Sequence, residues 1–260
     1  MPERFENKVV IVTAGAQGIG KGIALRFSEE GAKVVVADIN AGAGDDAVRE
    51  LQKKGREALA VKTDVSSAGE VKSMIDSVID KFGRIDILVN NAGVNKPAFI
   101  LDVKEEDWDL MMKVNLKGVF LCCQTVIPYM IKQKSGKIIN ISSVSGKKGG
   151  TWLSPYCATK FGVIGFTQSI ARELAPYNIN VNSVCPGIVF TPLWDKLANV
   201  FSRKLDMPSD KVKEYYVSRI PLKRPATAKD IAKVVTFMCS DDADYMTGQA
   251  INVTGGEEMR

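Results

Sequence analysis

Short apolar runs rich in β-branched residues recur along the chain at Val9–Val12, Val34–Val36, Ile85–Val89, Ile138–Ile141 and Ile179–Val184. Runs of this length and composition predict strands buried on both faces. Between them lie amphipathic stretches with apolar residues at helical spacing, over 18–30, 68–82 and 156–174, closed by Gly31, Gly83 and Pro176. Strand and helix alternate throughout. That rhythm predicts an α/β fold, a doubly wound parallel sheet with right-handed crossovers and helices on both faces. No internal repeat or low-complexity linker interrupts it, so residues 1–260 read as a single domain. The rhythm breaks only over 188–224, where Pro192, Pro208 and Pro221 punctuate two short helical patterns just ahead of Pro225. A segment of that kind after the C-terminal end of a strand predicts a lid over a bound molecule.

Composition narrows the classes open to such a fold. With 45% hydrophobic residues among 260, the chain can bury a large core without disulfides or metals. Its five cysteines, Cys122, Cys123, Cys157, Cys185 and Cys239, show no CxxC spacing, which points to reduced thiols in a cytoplasmic protein and to no metal site. Neither a signal peptide nor an apolar run of the roughly 18 residues a membrane span needs is visible. The net charge of +5 is mild, and the lysines are scattered. This argues against nucleic acid as a partner and leaves small anionic ligands open.

The chain contains no histidine. Acid–base chemistry must therefore use carboxylate, thiol, amine or phenol groups. Tyr156 and Lys160 stand four apart in a helical pattern, on one face, where an ammonium can lower a phenol pKa that starts near ~10. A solvated helix pair is the plainer reading of that spacing alone. Upstream, the first strand runs into Thr13-Ala14-Gly15-Ala16-Gln17-Gly18-Ile19-Gly20 and then a helix. Glycines there admit a pyrophosphate to the backbone, and the helix N-terminus favours its charge, which makes Gly15, Gln17, Gly18, Ile19 and Gly20 candidate contacts. Asp38 ends the second strand. Its carboxylate suits adenosine ribose hydroxyls and repels a 2′-phosphate, and no Arg or Lys follows closely to offset it, so NAD is expected over NADP.

Taken together, these residues resemble the short-chain dehydrogenase/reductase family over nearly the whole chain. The family's Thr-Gly-x-x-x-Gly-x-Gly loop is matched by Thr13, Gly18 and Gly20, with Ala14 at the first glycine and Gly15 one place on. The resemblance implies a Rossmann fold of about seven strands. It also implies adenine contacts from Asp64 and Val65, a segment Asn91-Ala92-Gly93 beside the cofactor, and nicotinamide contacts from Pro186, Gly187 and Thr191. By position, Asn115, Ser143, Tyr156 and Lys160 match the family's catalytic four. Tyr156 is then the general acid or base, Ser143 orients the substrate oxygen, Lys160 lowers the tyrosine pKa and binds the nicotinamide ribose, and Asn115 holds a relay water. A homotetramer is implied as well.

The substrate is expected to be a secondary alcohol or ketone. Tyr215-Tyr216 and Pro221-Leu222-Lys223-Arg224 resemble polyol dehydrogenases of the sorbitol-6-phosphate 2-dehydrogenase type, with Lys96, Lys147 and Lys148 as candidate phosphate contacts and Trp152 and Trp194 as candidate walls. Acetoin and 2,3-butanediol dehydrogenases, and reductases of 3-oxoacyl groups on carrier protein, are the enzymatic alternatives. Asp38 counts against the last, because biosynthetic reductases usually draw on NADP. A protein that senses NAD without turnover is the reading from a different class.

Overall fold

The computed structural model describes residues 3–53 and 55–260, excepting the side chains of Leu193 and Lys196. Seven strands, β1 (Val9–Thr13), β2 (Lys33–Asp38), β3 (Ala58–Lys62), β4 (Ile87–Asn90), β5 (Gly136–Ile141), β6 (Ile179–Pro186) and β7 (Ala250–Val253), form one parallel sheet in the order β3-β2-β1-β4-β5-β6-β7. The direction of winding reverses between β1 and β4, which opens a crevice beyond their C-terminal ends.

The unbroken apolar runs are explained by what covers them. Val10, Val12, Val34 and Val36 face a layer made by α1 (Gly18–Glu29), α2 (Ala41–Gln52) and α9 (Ala228–Cys239). Val9, Ile11, Val35 and Leu88 face α3 (Ala68–Phe82), α5 (Gly118–Gln133) and α6 (Ser154–Leu174). Each fully buried Ile or Leu of this kind contributes about 1.5–3 kcal/mol through burial. Element ends carry recognisable stops. Ser67 caps α3 by accepting the Glu70 amide at 3.3 Å, and Gly83 closes it at a φ of 73°.

Two strands escape the apolar pattern. β3 and β7 lie at the sheet's edges and are only partly buried, so Ala-rich or mixed sequences suffice there. β4 begins at Ile87, later than the apolar run. Asp86 just before it accepts the Val9 amide at 2.9 Å and the Arg84 guanidinium, which locks the strand's entry. The helical run Glu105–Gln133, comprising α4 (Glu105–Met112), a π-helical turn (Lys113–Lys117) and α5, is long and apolar enough to cross a membrane, yet α5 packs against the sheet as a core helix. Over 188–224 the chain forms α7 (Pro192–Leu205) and α8 (Ser209–Ser218), which pack around Leu197, Phe201 and Val212 as a small separate core.

Candidate active site

The crevice between β1 and β4 is held open by backbone constraints. Thr13 Oγ1 accepts the amides of Asn91 (2.9 Å) and Ala92 (3.1 Å), while Asn91 Nδ2 donates to the carbonyls of Thr13 (3.0 Å) and Ala14 (3.2 Å). These bonds clamp the two strand ends together. Between them the loop turns sharply. A Cβ on Gly20 would lie 2.2 Å from the Ala14 carbonyl oxygen and 2.6 Å from Asn91 Nδ2, so only glycine fits. Gly18 has a φ of 56°, and a Cβ on Gly15 would meet the Val12 carbonyl at 2.9 Å. Ala14 takes a φ of 48°, the left-handed conformation for which glycine is suited. Ala14 thus preserves the turn at the cost of strain.

Asp38 lies buried at the rim of this loop, accepting the amides of Ala16 (3.1 Å) and Asn40 (3.0 Å). Each oxygen retains a lone pair, and Asp38 makes no ion pair among the described residues. A dinucleotide's pyrophosphate fits the α1 N-terminus and its ribose hydroxyls fit the carboxylate. Asp64 closes β3. Burial opposes its ionisation, but bonds from the Ser66 hydroxyl and amide, with the charge of Lys113, hold its pKa below the ordinary value. Val65 is buried against Gly118 at the start of α5, so its side chain shapes the scaffold.

One cavity of about 620 Å³ gathers Gln17, Gly18, Ile19, Asn91, Gly93, Ser143, Tyr156, Lys160, Pro186, Gly187 and Thr191. Gly15, Gly20, Asp38, Asp64, Val65, Ala92 and Asn115 stand outside its wall. Asn115 sits fully buried in the π-helical turn, where Oδ1 accepts the Val94 amide (2.8 Å) and Nδ2 donates to the Val94 carbonyl (2.9 Å) and to Thr159 Oγ1 (3.2 Å). Thr159 in turn donates to the Tyr156 carbonyl at 2.7 Å, tying the turn to α6. Gly93 brings the backbone close enough that a Cβ there would meet Asn115 Oδ1 at 3.5 Å and Lys160 Nζ at 3.7 Å.

Tyr156 departs from expectation. Lys160 Nζ lies 5.7 Å from the centre of the Tyr156 ring and donates to the Ile141 carbonyl at 2.8 Å. Burial dominates both groups. It pushes the Tyr156 phenol up to about 12 against the opposing Ser143 hydrogen bond, and pulls the Lys160 ammonium down to about 8. The phenol is therefore a proton donor in this state. In this state removal from water outweighs the Ser143 hydrogen bond, so the tyrosine pKa stands above its ordinary value instead of below it.

The far end of the cavity is aromatic. Trp194 packs against Phe190 (5.5 Å), Tyr216 (5.2 Å) and Phe201 (6.3 Å), and Trp152 lies 6.2 Å from Phe201. Both tryptophans line the cavity, as expected of walls. The Trp194 indole N–H is buried in this box without an acceptor among the described residues, which costs about 1–3 kcal/mol. Lys148 also lines the cavity but faces Glu257 (3.5 Å) and Glu258 (3.7 Å), and Lys96 pairs with Asp107 at 3.7 Å; Lys147 does not line it. Leu197, Phe201 and Leu205, spaced four apart on α7, complete the box. Sequence reasoning missed these three because such a stripe reads as ordinary core.

Residues 8–200 match the short chain dehydrogenase family model. The chain belongs to that family. It is 43% identical over 253 residues to the 3-oxoacyl-[acyl-carrier-protein] reductase FabG of Thermotoga maritima, covering 97% of this chain and 98% of that protein. It is 39% identical over 255 residues to the (2S)-[(R)-hydroxy(phenyl)methyl]succinyl-CoA dehydrogenase subunit BbsD of Thauera aromatica, covering 98% of each. The crystal structure of levodione reductase superposes with a TM-score of 0.92 at 32% identity, over 97% of this chain and 98% of that one. This short-chain dehydrogenase is an oxidoreductase acting on CH–OH and keto groups with a nicotinamide cofactor.

Proposed function

We propose that the protein interconverts a 3-hydroxyacyl and a 3-oxoacyl group with NAD(H). The observation that carries this reading is the aromatic, apolar box in the same cavity as Ser143 and Tyr156, which suits an acyl or aryl body better than a polyol. The names of FabG and BbsD support it, since both act on acyl thioesters bearing oxygen near the carbonyl. The polyol phosphate expectation draws no support from its own lysines, because Lys148 and Lys96 face carboxylates. Arg224 of the Pro-Leu-Lys-Arg pattern is likewise paired with Asp230 at 2.8 Å.

In the reductive direction the Tyr156 phenol gives its proton to the ketone oxygen, and the Ser143 hydroxyl donates a hydrogen bond to that oxygen as charge develops. Bound NAD(H) supplies or takes up the hydride. Lys160 holds positive charge behind the tyrosine, which favours the phenolate once the proton has left. Asn115 contributes positioning, because its amide fixes Val94 and Thr159. Asp38 supports NAD over NADP by repelling a 2′-phosphate, and that preference suits oxidation of the alcohol. The α7–α8 pair then serves as the lid that excludes water.

The test is NADH formation from 3-hydroxybutyryl-CoA and NAD by the purified protein, with NADP in a parallel run. Turnover with a clear NAD preference is expected, and faster turnover with NADP contradicts the role of Asp38. A second reading, oxidation or reduction of a small ring ketone, is favoured by the same box and by the likeness to levodione reductase. A homotetramer is part of the proposal, supported by the exposed Phe99, Ile100, Leu101, Trp108, Phe120 and Phe161 on and beside α4 to α6. A cytoplasmic setting is supported by five buried, unpaired cysteines.

A further inference from the structure

The described cations lining the cavity are Lys148, Lys160 and Arg219. Lys148 is paired with Glu257 and Glu258, and Lys160 is buried against the Ile141 carbonyl. Arg219, just past α8, makes no ion pair among the described residues. Its Nη1 donates to the Tyr215 hydroxyl at 2.9 Å, and the guanidinium lies 5.6 Å from the centre of that ring. Tyr215 packs edge-on against Tyr216 at 5.3 Å, and Tyr216 against Trp194 at 5.2 Å. An aromatic ladder therefore runs from Trp194, at the far end of the cavity, to a tethered, exposed cation that has no ion pair among the described residues, although the Glu257 carboxylate also lines the cavity. A guanidinium so held keeps further N–H donors in a planar fork, suited to two oxygens of one anion, and its orientation is set in advance.

We infer that Arg219 binds an anionic group at the outer end of the substrate, a carboxylate on the acyl body or a phosphate on its thioester carrier. The inference rests on the proposed function for where the substrate lies. It is separable from it, because binding can be measured without turnover. Calorimetry on the NADH-saturated protein compares 3-phenylpropanoate with 3-phenylpropanamide, and butyryl-CoA with the neutral butyryl N-acetylcysteamine thioester. The anionic member of at least one pair is expected to bind roughly tenfold tighter, as one charge-assisted pair implies. That gap closes in Arg219→Gln and returns in Arg219→Lys. The pair that shows it identifies carboxylate or phosphate as the source. Two pairs without a gap, or a gap that survives in Arg219→Gln, overturn the inference, with unaltered NADH affinity certifying the fold of the variant. A gap without turnover of any 3-hydroxyacyl thioester leaves the anion site standing and removes the proposed reaction.

Discussion

The two ends of the cavity are built by opposite means. At the dinucleotide end the wall is largely backbone, fixed by Thr13, Asn91 and glycines that leave no room for one added carbon. At the other end the wall is side chain, a stack of rings over a small core whose buried members among the described residues are Leu197, Phe201 and Val212. A wall of backbone fixes one ligand and tolerates almost no change. A wall of side chains on two short helices can be repacked, which is how one scaffold serves many substrates.

Tyr156→Phe at the seam between the two ends should have the largest effect, lowering kcat by about 10²–10⁴-fold while thermal unfolding is nearly unaltered. A drop in kcat without a proton-transfer signature in the pH profile would move the acid elsewhere. The same seam gives a pH effect. Lys160 titrates near 8 in the folded chain and at its ordinary 10.5 when unfolded, so below pH 8 both states hold the proton and its burial is a standing cost. Between about 8 and 10.5 the unfolded state holds more protons, so stability should rise with pH by something on the order of 3 kcal/mol from this group. Denaturant unfolding of the cofactor-free protein and of Lys160→Met should differ by that slope.

Gly20→Ala tests the rigid end: the added methyl meets the Ala14 carbonyl, and NADH affinity by fluorescence titration should fall about a hundredfold. Phe201→Leu tests the adaptable end. It should cost less than about 1.5 kcal/mol in stability and change the ranking of substrates by size. If Phe201→Leu proved as damaging as Gly20→Ala, the contrast would collapse. The smallest effect belongs to Ala14→Gly, which relieves a left-handed alanine and should raise stability by about 0.5 kcal/mol in the same unfolding assay.

The contrast also governs what was legible in the sequence. Gly18 and Gly20 stand out because the turn's backbone conformation admits few residue types, whereas Tyr156 with Lys160 gains its meaning from the family resemblance and not from spacing alone. The central strands were legible for the same reason as the glycines, since a strand covered on both faces tolerates little but apolar residues. β3 and β7 were not, because edge strands accept mixed composition. Leu197, Phe201 and Leu205 form a stripe that any core helix carries, and only the fold shows that it lines the same cavity as Tyr156. Arg219 gave no signal, for a surface arginine and a pocket arginine look alike until ion partners are known. The direction of the Lys160 ammonium was hidden for a related reason: spacing places it on the face of Tyr156 but cannot say that the Ile141 carbonyl receives it.

The measurement closest to the central claim is the ratio of kcat/KM for NAD-linked oxidation of a 3-hydroxyacyl thioester to that for sorbitol 6-phosphate, taken on one preparation. The aromatic box predicts a ratio far above one. A ratio below one, with sorbitol 6-phosphate the better substrate, would contradict the acyl reading and return the polyol phosphate to the cavity.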